Sequence, residues 1–118
     1  MDSNLLDYKE IEEAMEGKSL DFVQMLKMVM EDFINNHMLM IDAVNDRHLE
    51  SFRKIHHSLR SNIILFKMTS FADLINRIDK DLSIDDSLLD NQIILDLHSH
   101  FDDIFQSLEL KIASLQNC

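Results

Sequence analysis

Apolar residues return every three or four positions along most of this chain, which is the period of a helix and not the alternation of a strand. Phe22, Met25, Leu26, Val29, Phe33 and Ile41 mark one side of a long second segment, and Ile94, Leu97, Phe101, Ile104, Leu108 and Leu115 do the same for the last one. Capping residues divide the pattern into five helices. A short first helix over residues 5–16 places Leu6, Ile11 and Met15 on one side and ends at Gly17, where a left-handed conformation costs glycine little. Ser19 then caps a second helix reaching about Val44, with weak propensity at Asn35-Asn36 marking the place for a bend. Asp46 caps a third helix running to about Met68, and Ser70 with Asp73 resembles a capping box that opens a short fourth helix with Leu74 and Ile78 inward. Residues 81–87 read as the one sizeable loop, with Asp86 or Ser87 capping the long last helix. Long helices joined by short links imply an all-α fold: an antiparallel, up-and-down four-helix bundle with a short extra N-terminal helix.

Composition narrows the functional classes. Proline is absent and glycine occurs once, so tight sheet turns lack their usual residues. At 118 residues the chain has the length of one domain, spanning 1–118, with enough material for a hydrophobic core. Its apolar runs, such as Ile93-Ile94-Leu95, are too short for a membrane span, and Met1-Asp2-Ser3-Asn4 does not open a secretory leader, so the expected location is cytoplasmic. Cys118 is the sole cysteine, which rules out an intrachain disulfide and leaves too few thiols for a zinc site. Twenty-two acidic against eleven basic residues give a net charge of -11, which disfavours nucleic acid and anionic membrane surfaces as partners.

The third helix carries the chemistry. Phe52, His56, Leu59, Ile63 and Phe66 cluster on one face by helical-wheel count, placing His56 on the core seam and His57 about 150° from its centre, exposed. Arg53 and Lys54 lie one turn before His57, and Arg60 and Ser61 one turn after it. Three cations around one imidazole stand out in so acidic a chain, although on their own they are also what a solvated helix face would show. His98 and Asp102 stand one turn apart but form only two ligands without a third, so no metal site is expected. His37, His48 and His100 belong to no constellation visible in the sequence, and most of the methionines of the second helix are expected to pack in the core.

The run His57-Ser58-Leu59-Arg60-Ser61-Asn62 resembles the His-x-Leu-Lys-Gly-Ser signature of histidine phosphotransfer domains, with arginine in the lysine position and serine in the glycine position. Phe71 and Leu74 fall where that family has apolar residues of its next helix, and Ile78-Asp79 falls where it typically has Leu-Glu. Upstream, residues 33–43 look like the stretch before the family's recurrent aspartate, which Asp46 would supply, so the likeness covers roughly residues 20–79. Ser61 and Lys67 depart from two family glycines; serine narrows access to the histidine, and the lysine stem has to point outward.

The resemblance implies a phosphocarrier that is not a kinase by itself: His57 would accept a phosphoryl group from receiver-domain aspartates and return it in a two-component phosphorelay. Arg60 would steady the phosphoryl oxygens, Lys54 would help from the preceding turn, Ser61 would set the closeness of approach, and Asp79 would orient the imidazole. Ile64, seven residues beyond His57 on the same exposed face, and Arg53 would contact the docked partner. The partners implied are response regulator receiver domains and a sensor or hybrid histidine kinase. No cofactor of its own is expected, Mg²⁺ being supplied by the receiver, and a monomer is expected over a dimer. Two other readings stand beside it: a silent adaptor of the same shape that binds a receiver or kinase without carrying phosphate, and an unrelated helical scaffold.

Overall fold

A computed structural model describes residues 5–84 and 89–117. Five helices follow one another, with no strand among the described residues: α1 (Lys9–Ala14), α2 (Ser19–Asn45), α3 (Leu49–Leu65), α4 (Thr69–Ile84) and α5 (Asn91–Gln116). α2 packs on both α3 and α5, α3 also on α4, and α4 also on α5. α2 alone, at 1.5 Å per residue, is about 40 Å long, most of the 50 Å long axis of the molecule. No helix among the described residues is long and apolar enough to cross a membrane.

Periodic apolar positions build a single core. Phe22, Phe33, Phe52, Phe66, Phe71 and Phe101 are all fully enclosed, and Phe33 meets Phe71 and Phe101 with ring centroids 5.8 and 6.0 Å apart. Edge-on and tilted aromatic pairs of this kind add to the stabilisation from burial itself. No polar or charged side chain is buried among the described residues, so the core holds α2 to α5 together by apolar packing and leaves polar chemistry to the seams and the surface.

Several helix ends differ from the sequence expectation. α1 is shorter than residues 5–16, but Leu5, Leu6 and Tyr8 still pack on the core, and the Asp7 amide donates to the Phe66 carbonyl at 2.7 Å. Tyr8 then reaches α5 through a 2.7 Å hydrogen bond with Ser107. Ser19 lies inside α2, whose N-cap is Lys18, and the helix continues unbroken past Asn35-Asn36. Asp46 closes α2 instead of opening α3. The N-cap of α3 is His48, whose Nδ1 accepts from the Ser51 amide at 3.1 Å. Ser70 is likewise inside α4, which starts at Thr69 and runs to Ile84 instead of giving way to a loop at residue 81; Leu82, one turn after buried Ile78, continues its inner face. Asp86 and Ser87, the expected caps of α5, lie outside the described residues, and Asp90 fills that role by accepting from the Ile93 amide at 3.0 Å.

α2 and α3 end in the same way. At the close of α2 the His48 amide donates to the Ala43 carbonyl and the Arg47 amide to that of Val44, with Arg47 at φ +53°. At the close of α3 the Met68 amide donates to Ile63 and the Lys67 amide to Ile64, with Lys67 at φ +50°. Both are Schellman endings, in which a left-handed residue lets the chain turn back and satisfies carbonyls that the helix leaves open. Gly17 at φ +79° has the same conformation after α1; a Cβ there would meet nothing within 4 Å, so conformation and not space is what favours glycine.

Candidate functional site

α3 positions the candidate residues because its inner face is fixed by Phe52, Leu59 and Ile63, all buried. With that face turned inward, His57 is exposed and His56 is half-buried against α4. His57 lines a shallow hollow with Leu49, Glu50, Arg53, Lys54 and Ser58. Half-buried Leu49 supplies an apolar wall, and Lys54 and Arg53 bring two cations to its rim. On the far side of Lys54 a second groove runs between the end of α2 and the start of α3, with Leu39, Ala43 and Ile55 among its lining and Asp42 and Asp46 beside them. Neither Leu49 nor Glu50 stands out in the sequence as a site residue, since both lie before the motif at the first turn of the helix.

The cations are not equivalent. Arg53 donates through Nε to Asp79 Oδ2 at 2.9 Å and through Nη2 to Asp79 Oδ1 at 3.0 Å, and also reaches Ser83 Oγ at 3.1 Å. This fork ties α3 to α4. Lys54 and Arg60 make no ion pair or side-chain hydrogen bond among the described residues, so their charge is available to an incoming anion. Arg60 and Ser61 are exposed one turn beyond His57, and Ile64 follows with 65% of its surface exposed.

Asp79 does something other than the sequence expectation. Its two oxygens are taken by Arg53, and the imidazole whose charge bears on it is His56, not His57. Arg53's hydrogen bonds hold the Asp79 carboxyl below the usual carboxylate range against the opposing effect of burial. The same contact raises the Arg53 guanidinium above its ordinary value. His56 is pushed below an ordinary imidazole, first by burial, with Asp79 opposing and Arg60 and His57 reinforcing. The neighbouring histidines therefore face different environments: one in the α3–α4 seam, the other in water.

No protein-family model, curated protein or solved structure matches this chain.

Two motif positions have structural employment. Asn62 donates across to Asp32 on α2 at 3.3 Å and is directed away from the hollow. Lys67, in the left-handed position that ends α3, sends its stem outward to Glu10 at 2.8 Å. The outward path expected of that lysine is thus the one it takes, and its backbone adopts the conformation that glycine adopts most readily. Of the α2 methionines, Met40 is buried and Met25 and Met30 pack partly against the core, while Met28 and Met38 are largely exposed. His48 caps α3, and His100 Nδ1 bonds the Asp96 carbonyl at 2.9 Å. No group of three or more metal-ligating side chains comes together among the described residues. His37 and His98, however, meet across the α2–α5 seam, a contact that helical periodicity within either segment has no means of signalling.

Proposed function

We propose that this chain is a histidine phosphotransfer domain that carries a phosphoryl group on His57 between receiver-domain aspartates of a two-component phosphorelay. The observation that carries the reading is the placement of His57: an exposed imidazole midway along a helix with a buried inner face, beside a hollow, with Lys54 and Arg60 one turn to either side and in no ion pair among the described residues. The proposed architecture is an antiparallel, up-and-down bundle of α2 to α5 with α1 as the extra N-terminal helix. Links of three residues, 46–48 and 66–68, and the cyclic pattern of helix contacts support it.

In the proposed step an uncharged His57 ring nitrogen attacks phosphorus in line. The N–P bond forms as the aspartyl P–O bond breaks, and the electron pair leaves with the partner's carboxylate. A neutral imidazole carries a ring nitrogen with an unshared electron pair and no proton to lose first, so the step needs no dedicated general base. Phosphoryl transfer asks chiefly for alignment and charge stabilisation. Arg60 and Lys54 would stabilise the phosphoryl oxygens, exposed Ser61 would leave room for close approach, and exposed Ile64 would give the receiver an apolar contact. Mg²⁺ and the acidic pocket around it belong to the receiver. Arg53 would act as a partner contact only through whatever part of it Asp79 leaves open, and Asp79 would serve as its anchor.

A panel of receivers provides the test, with binding measured by calorimetry alongside the loss of phosphate from each phosphorylated receiver. The carrier reading expects binding by both the wild type and His57→Gln, with phosphate leaving the receiver for the wild type alone. Binding by both without any phosphate transfer identifies an adaptor, and binding by neither identifies a scaffold of another kind.

A further inference from the structure

His37 on α2 and His98 on α5 are separated by 61 positions, yet His37 Nε2 and His98 Nδ1 lie 3.0 Å apart. The rings cross at 81° with centroids 5.0 Å apart, and the opposite side of the His37 contact is aromatic: its ring stacks on Phe101 at 4.5 Å and meets Phe105 edge-on at 5.7 Å. Both histidines are half-buried. The pair is a polar contact between the two longest helices, whose buried side chains are apolar.

We propose that His37 and His98 form an acid-sensitive latch between α2 and α5. Two neutral imidazoles hold the bond with one N–H donating to the other ring's lone pair, and one added proton preserves it, because an imidazolium N–H still finds a neutral acceptor. A second proton removes the acceptor and sets two N–H groups against each other within a half-buried contact, so the bridge is replaced by repulsion. Among the described residues, the charged group that acts on His37 besides His98 is Asp102 on α5, whose negative charge favours protonation but is outweighed by burial and by His98, leaving His37 below the ordinary imidazole value. For a histidine so depressed, the unfolded state takes up the proton first as pH falls. The latch thus contributes fully above the unfolded value, and its contribution is lost progressively below it. This device does not depend on the phosphotransfer reading.

The test pairs ring ¹⁵N spectra of the wild type with thermal unfolding of the wild type, His37→Phe and His98→Gln, each from about pH 7.5 to about pH 5.5. His37→Phe keeps the aromatic stack and removes the proton acceptor. The expected spectra place the His37 midpoint below that of a free imidazole, and His98→Gln moves it upward. The fall in Tm on acidification should be smaller in His37→Phe than in the wild type. A His37 ring that titrates at or above the free value, or a wild-type ring insensitive to His98→Gln, overturns the proposal. An equal acid-induced fall in Tm for wild type and His37→Phe overturns it as well. Should His37→Phe fail to fold, the wild-type and His98→Gln spectra still decide the matter.

Discussion

Arg53 stands four residues before His57, within one turn of it, but its guanidinium is turned to α4, where Asp79 takes it in a two-point fork and Ser83 adds a third bond. Charge available at the imidazole therefore falls to Lys54 and Arg60. Arg60→Ala is expected to slow phosphoryl transfer about tenfold, in line with the loss of a charge-assisted contact made to the transferred group, while receiver binding changes less; single-turnover kinetics separate the two. The Asp79 fork makes a different prediction, about stability. Because Arg53 depresses the Asp79 carboxyl, its contribution is complete above the ordinary carboxylate value and is lost as pH falls through the lower folded value. The pair is partly solvent-facing, with 56% of the Arg53 side chain and 26% of the Asp79 side chain exposed, so Asp79→Asn should lower Tm at neutral pH by only about 1–2 °C. Melting curves of the two proteins should converge in strong acid, below both values. A difference that persists there contradicts the ion-pair account.

At the scale of elements, the two Schellman endings space α3 correctly against its neighbours, and both are carried by charged residues in the left-handed region. Such a residue has a Cβ that crowds the following carbonyl, a strain glycine escapes. Lys67→Gly is accordingly expected to raise Tm by about 3 °C, even though it removes the exposed contact with Glu10; calorimetry of the variant checks this, and a fall in Tm would mean that the Glu10 contact outweighs backbone strain. These endings also explain where the chain was hard to read. Phe33, Phe52, Leu59 and Phe101 were legible as core because burial enforces the helical period directly. Helix ends are decided by single residues. With glycine absent at Arg47 and Lys67 the usual stop signal was missing, and Asp46, a strong N-cap by type, sits one turn before a helix that His48 caps instead. The exposure of His57 followed from the same wheel that placed Phe52 and Leu59. By contrast, the Asp79–Arg53 fork and the His37–His98 contact depend on how separate helices rotate against one another, which periodicity within one segment leaves undetermined.

For the whole molecule, the apolar core and its polar seams divide the work. Interlocked aromatic rings hold the helices without any buried polar side chain among the described residues, and His57, Lys54 and Arg60 are exposed outside that core. Those residues stand on the outside of a helix whose inner face is buried, and the proposed presentation of His57 to a receiver rests on that placement. In a chain of net charge -11, Lys54 and Arg60 stand one turn to either side of the exposed His57. The decisive measurement is transfer of labelled phosphate from a phosphorylated receiver to the wild-type chain and to His57→Gln, scored as acid-labile, alkali-stable label on this protein. The account predicts label on the wild type and none on the variant, with both equally folded. Label that persists on His57→Gln, at His56 or any other residue, would contradict it.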